Sequence, residues 1–212
     1  MKLLNEITIA VCEGSSRRAK DLISRAFDEN HSPETILRKG LVPGMLQAEK
    51  KFSRGEIPDS EFILCERTMK AGMEMLTPLI KNGKNPAQGL VITGTLEGDI
   101  RETGKDILSA LMQGLNLRVI DLGSSVPVYR FIDTAKEEKA KLIACTTSMT
   151  AFLPQMKALV QAAICAKIRD ETKILISGRP VTARFGKKID ADMYAPDPVQ
   201  AAEIAAEYCA KL

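Results

Sequence analysis

The chain has 212 residues, 45% hydrophobic and 27% charged, with 30 basic against 27 acidic side chains and a formal net charge of +3. That length suits one or two compact domains, and the absence of any long single-sign block points away from nucleic acid and anionic membrane as partners. Five cysteines without a C-x-x-C pair (Cys12, Cys65, Cys145, Cys165, Cys209) suggest neither a zinc cluster nor a disulfide framework and read as buried free thiols.

There is no tryptophan, and His31 is the single histidine. Any mechanism that needs an imidazole must use His31 or do without. The short apolar run from Ile7 to Cys12 is too short for a signal-peptide core or a bilayer span, so a cytoplasmic protein is expected.

Residues 1–81 carry helical periodicity only and predict a small helical bundle. Ser32 and Pro33 read as N-cap and first helical residue, Gly40 as a stop, and Gly55 as the end of the next helix. Pro58 and Asp59 then open a long helix running towards Ile80. The segment KNGKNPAQ, at 81–88, is polar and aperiodic; it places a linker at 82–88 and a second domain at 89–212.

From residue 89 short apolar runs (GLVIT, LRVIDL, KLIACT, KILIS and the weaker ADMYA) alternate with helical stretches. This βαβ rhythm predicts an α/β domain, a five-stranded parallel sheet with helices on both faces. Ligands of such sheets sit beyond the carboxyl ends of the strands. Three loops there are rich in small residues: GTLEGDIRETGK at 94–105, TTSMT at 146–150 and SGRPVT at 177–182. Small residues gathered at one edge imply a cavity.

The blocks GTLEGDI-x-x-x-GK around Asp99 and Gly104, GLVPGM at 40–45, TMKAGMEML at 68–76, DLGSSVP at 121–127 and YAPD at 194–197 occur in order over nearly the whole chain. In these the sequence resembles the corrinoid proteins of methanol, methylamine and related methyltransferase systems, which share their cobalamin domain with methionine synthase. The resemblance implies a flavodoxin-like cobalamin domain behind a helical cap. In that family D-x-H-x-x-G follows the first strand, S-x-L the third and G-G the fourth, and these loops hold the extended nucleotide tail of the cofactor. The cofactor site it implies is drawn from Gly98, Asp99, Ile100, Arg101, Glu102, Thr103 and Gly104, then Thr146, Thr147, Ser148 and Met149. Ser177, Gly178 and Arg179 follow, then Tyr194 and Ala195, with Met45 and Met73 from the helical half.

The chain departs from the pattern where Arg101 stands in the place of the histidine that donates nitrogen to cobalt. Thr146 takes the place of the serine, Ser148 of the leucine, and Ser177 with Gly178 of the glycine pair. A guanidinium has no free lone pair, so Arg101 cannot be a cobalt ligand. The expectation is cobalamin bound base-off without a protein ligand to the metal, Arg101 paired with Asp99 or with the amide and phosphate groups of the cofactor, and a raised Co(II)/Co(I) potential. Met69, Met73 and Met75 on one helix, with Met45 nearby, read either as core packing or as an apolar lid over cobalt, with the linker as hinge.

The function so implied is a methyl carrier, not catalytic on its own, passing a methyl group on cobalt between a substrate-specific methyltransferase and a corrinoid-dependent acceptor methyltransferase. Two alternatives are a cobalamin-binding sensor or storage protein without methyl transfer, and an interaction module resembling a response regulator. The second lacks the clustered carboxylates a phosphoacceptor needs, because the third strand ends in Cys145 and Thr146.

Overall fold

The computed structural model describes residues 2–80 and 89–211. The chain divides into two compact units, Met1–Ile80 and Lys81–Leu212. The expected linker at 82–88 lies outside the described residues.

The first unit is all helical: α1 (Lys2–Cys12), α2 (Ser16–Asp28), α3 (Pro33–Ile36), α4 (Val42–Ser53) and α5 (Asp59–Leu76). Ile7, Val11, Ile23, Leu41 and Met69 are fully buried within it. Ser32 caps α3 as expected, its hydroxyl accepting from the Thr35 amide at 3.2 Å. The stop expected at Gly40 is not there. The chain passes from α3 into α4 through one turn of π-helix, Leu37–Leu41. Pro43 has no N–H to return to Lys39, and the wider turn accommodates that defect without ending the helix. The Thr8 hydroxyl lies 2.9 Å from the Gly40 carbonyl and 3.2 Å from that of Leu4, so the π turn is fastened to α1. Helix α5 ends at Leu76, short of Ile80, two residues before Pro78.

The second unit is an all-parallel sheet with the order β2-β1-β3-β4-β5, made of β1 (Leu90–Thr95), β2 (Arg118–Asp121), β3 (Leu142–Thr146), β4 (Lys173–Ser177) and β5 (Met193–Ala195). The linking helices are α6 (Thr103–Gly114), α7 (Val128–Glu137), α8 (Leu153–Cys165), α9 (Ala183–Lys188) and α10 (Pro198–Cys209). β1 and β3 are near-continuous apolar runs because both faces of a doubly wound sheet are covered. On one face Ile92, Ile143, Cys145 and Ile176 pack with Phe131 of α7 and Leu159 of α8. The alternate residues face α6 and α10, which pack against each other. Successive strands leave β1 in opposite directions, so the switch point falls between β1 and β3.

Four of the five cysteines are buried free thiols as expected. Cys165, on the last turn of α8, is exposed and departs from that expectation. Among the described residues no helix is long and apolar enough to cross a membrane.

Candidate functional site

Most residues expected in the site from the second unit lie at the carboxyl edge of the sheet or in the loops that leave it. Gly98 to Glu102 form the loop from β1 to α6, and Thr103 and Gly104 begin that helix. Asp99 is buried and its carboxylate is divided between two donors. Oδ1 accepts from the Arg101 amide at 3.1 Å, and Oδ2 accepts from the Thr147 hydroxyl at 2.7 Å. The carboxylate therefore shapes its own loop and ties it to the loop after β3.

The neighbouring loop, after β2, supports the same structure. Leu96 pairs with Val126, the Ser125 amide donates to the Asp99 carbonyl at 3.1 Å, and the Ser125 hydroxyl accepts from the Gly98 amide at 3.0 Å. Lys105 anchors the first turn of α6: its side chain is 4% exposed, and its ammonium lies 2.7 Å from Asp106 Oδ1 and 2.6 Å from Asp121 Oδ2. Burial alone would lower the Lys105 pKa, but its bonds to Asp106 and Asp121 outweigh it and hold the amine protonated above the ordinary value. Asp106 moves up, because burial outweighs its bond to Lys105. Asp121 Oδ1 accepts from the Gly123 amide at 2.8 Å, which carries the anchor into the β2 loop.

On this fastened loop the tip is free. Ile100 is 78% exposed, and Arg101 is exposed with no hydrogen bond or ion pair to its guanidinium among the described residues. The expected Arg101–Asp99 side-chain pair is absent. The carboxylate accepts from the Arg101 amide and the Thr147 hydroxyl instead.

The hydroxyl beside Asp99 comes from Thr147, for which the sequence indicated no specific role. The resemblance puts Thr146 in the place of the family's serine, but Thr147 reaches the carboxylate. Thr146 is the last residue of β3, and strand alternation turns it onto the sheet face beside α6, where its hydroxyl lies 3.6 Å from the point a Cβ on Gly104 would occupy. The chain leaves the pleat one residue later.

The loops after β3 and β4 touch. A Cβ on Gly178, at φ +121°, would stand 1.9 Å from the Thr147 carbonyl oxygen. The Thr147 amide donates to the Ser177 carbonyl at 3.2 Å, and Arg179 Nη2 donates to the Ser148 carbonyl at 3.3 Å. The hydroxyls of Ser148 and Ser177 are buried without a partner. On β5 the expected pair separates: Ala195 is in register with Ser177, and Tyr194 turns to the opposite face, against the apolar core. Met45 and Met73 belong to α4 and α5 of the first unit, where both side chains are buried. His31, in the turn after α2, lies 3.9 Å from Glu29. No group of three or more His, Cys, Asp or Glu that could hold a metal ion occurs among the described residues.

The edge thus combines two buried hydroxyls lacking partners, a run of small residues and the exposed apolar side chains Ile100 and Met149. Unpaired buried polar atoms are rare and call for an explanation. A flat macrocycle with a polar tail, resting against the loops and reaching into the edge, fits this lining.

Two family models described as B12 binding domain match the chain, one over residues 3–77 and one over 89–203. The chain belongs to the family of B12-binding corrinoid proteins. It is 31% identical over 210 residues to the dimethylamine corrinoid protein of Methanosarcina barkeri, covering 99% of this chain and 98% of that one. It is 30% identical over 187 residues to trimethylamine corrinoid protein 1 of Methanosarcina acetivorans, covering 87% of each. The structure of the monomethylamine corrinoid protein of Methanosarcina barkeri superposes with a TM-score of 0.83 at 28% identity, over 97% of this chain and 98% of that one.

Proposed function

We propose that the chain is the methyl-carrying corrinoid subunit of a methyltransferase system, holding cobalamin base-off with no protein nitrogen below the cobalt. When bound, the cofactor supplies a cobalt centre that accepts a methyl group from one partner enzyme and yields it to another. The chain's own residues position the ring and its tail. The observation that carries the reading is the loop after β1: Asp99, Gly98 and the α6 start are fastened on every side, and the residue at the tip, where the family places its ligand, is a guanidinium with no lone pair.

In this reading Ile100 and Met149 give the ring an apolar rest, Arg101 meets the amides and phosphate at its rim, and Gly178 lets the β3 and β4 loops close on the tail. Thr147 holds Asp99 in its loop-shaping role. The dimethylamine and trimethylamine names of the relatives support a methylated amine as the ultimate donor, delivered by a substrate-specific methyltransferase, with a second methyltransferase as acceptor.

The test is reconstitution with hydroxocobalamin, desalting, and reduction to Co(II). We expect retained corrinoid whose electron paramagnetic resonance spectrum lacks axial-nitrogen splitting, and a Co(II)/Co(I) potential higher than that of an Arg101→His variant. Nitrogen splitting in the wild type, or equal potentials in the two proteins, would refute the ligand-free assignment. Loss of corrinoid on desalting would refute the carrier.

A further inference from the structure

Two of the buried thiols meet in the first unit. Cys12 closes α1 and Cys65 stands midway along α5, 53 positions further on, and the Cys65 thiol donates to the Cys12 carbonyl at 3.3 Å. A carbonyl oxygen is about 2.4 Å from its own Cα, so the Cys65 sulfur lies within about 6 Å of the Cys12 Cα. A sulfur at that distance is within the span that the two Cβ–S arms of a disulfide bridge.

The backbone on either side of this pair is pressed together. A Cβ on Gly14 would stand 2.6 Å from Leu64 Cβ and 3.3 Å from the Cys65 amide nitrogen, and the Ser16 and Thr68 hydroxyls share a hydrogen bond of 2.9 Å. The corner after α1 therefore rests on α5, and a bond between the two sulfurs needs side-chain rotation, not a change of fold.

The two thiols are unequal. Cys12 keeps 9% exposure at the end of its helix, whereas Cys65 is 1% exposed. Burial, with the neighbouring Cys12 adding to it, pushes the Cys65 thiol above its ordinary value of 9.0. Because the thiolate is the attacking species, Cys65 is a poor first nucleophile. It is well placed to be the second, when the sulfur it attacks is its neighbour.

We infer that Cys12 and Cys65 form a reversible dithiol–disulfide pair, oxidised by a small-molecule disulfide such as glutathione disulfide, and that the bridge fastens α1 to α5. The Cys12 thiol loses its proton and attacks one sulfur of the small disulfide; a mixed disulfide forms, and the expelled thiolate takes up the proton. Cys65 then loses its proton and attacks the Cys12 sulfur, expelling the second thiolate, which is protonated in turn. Two protein thiols are oxidised and one disulfide is reduced to two thiols, so electrons and protons balance. The bridge ties the helix that holds the π turn through Thr8 to the helix that carries Met69 and Met73. Oxidising conditions thereby stiffen the helical unit, whatever ligand the second unit binds.

The experiment uses the full chain carrying Cys165→Ser, so that the exposed thiol does not consume the reagent. The protein is incubated with glutathione disulfide, trapped in acid and weighed by mass spectrometry before and after non-reducing proteolysis. We expect a species lighter by the two thiol hydrogens, a peptide pair joined through Cys12 and Cys65, and recovery of both thiols with dithiothreitol. Adding Cys65→Ser, whose hydroxyl can keep the bond to the Cys12 carbonyl, should stop the reaction at a glutathione adduct on Cys12. Amide hydrogen exchange in α1 and α5 should slow about tenfold on oxidation and stay unchanged in the sheet of the second unit.

A lasting glutathione adduct on Cys12 with Cys65 present would overturn the pair. So would a bridge that joins other cysteines, or thiols that react only after denaturation in urea. A Cys12–Cys65 bridge that leaves amide exchange unchanged would overturn the fastening of the helices.

Discussion

Replacing Gly178 by alanine probes the contact that closes the β3 and β4 loops on each other. The added Cβ would stand 1.9 Å from the Thr147 carbonyl oxygen, with the Thr147 carbon and nitrogen both at 2.9 Å, so the obstacle is backbone and no side-chain rotation relieves it. The residue sits at φ +121°, where a side chain costs about 1–3 kcal/mol before any clash. Separating the loops also strains the Thr147–Ser177 and Arg179–Ser148 hydrogen bonds, worth about 1 kcal/mol each. A loss of about 3–5 kcal/mol follows from these contributions together. Gly123 is the matched control in the same unit: it has φ +87° and nothing within 4 Å of the point its Cβ would occupy, so Gly123→Ala should cost only about 1 kcal/mol. Urea denaturation followed by far-ultraviolet circular dichroism compares the two. Should Gly178→Ala prove no more destabilising than Gly123→Ala, the close approach of the two loops is wrong.

Three further outcomes are expected. Thr147→Val should destabilise the second unit by about 1–2 kcal/mol, because the buried Asp99 carboxylate loses a donor, and Thr147→Ser should restore it; denaturation midpoints of the two variants decide. Lys105→Met should cost about 2–3 kcal/mol, less than for a fully buried pair, since its two carboxylate partners are each about one-third exposed. The Lys105 amine is protonated more tightly in the fold than its ordinary value of 10.5, so its contribution is complete below that pH and is lost as pH rises through the higher folded value. The stability difference between wild type and Lys105→Met should therefore shrink in strong alkali, and a constant difference up to that range would contradict the ion pairs. Thr8→Val should lower the melting temperature of the first unit through the unpaired Gly40 carbonyl of the π turn, with Thr8→Ser close to wild type.

The sheet was legible because buried parallel strands read as uninterrupted apolar runs, and its loops because small residues cluster where the backbone must come close. Two features escaped for physical reasons. Gly40 and Pro43 carry the signs of a helix stop, yet a single wide turn absorbs the missing donor, and the Thr8 hydroxyl that supports it lies 32 residues away. Thr146 and Thr147 are chemically equivalent in the sequence; only the point at which the β3 pleat ends decides which of them meets Asp99.

The frame around residue 101 has a further consequence. Both flanks of the β1 loop are fixed by groups other than the tip: Asp99 by Thr147, Gly98 by Ser125, and the α6 start by Lys105 and Asp121. A residue held in this way is interchangeable, because its replacement disturbs no contact on which the loop depends. The side chain at position 101 can therefore change while the loop that carries it keeps its shape.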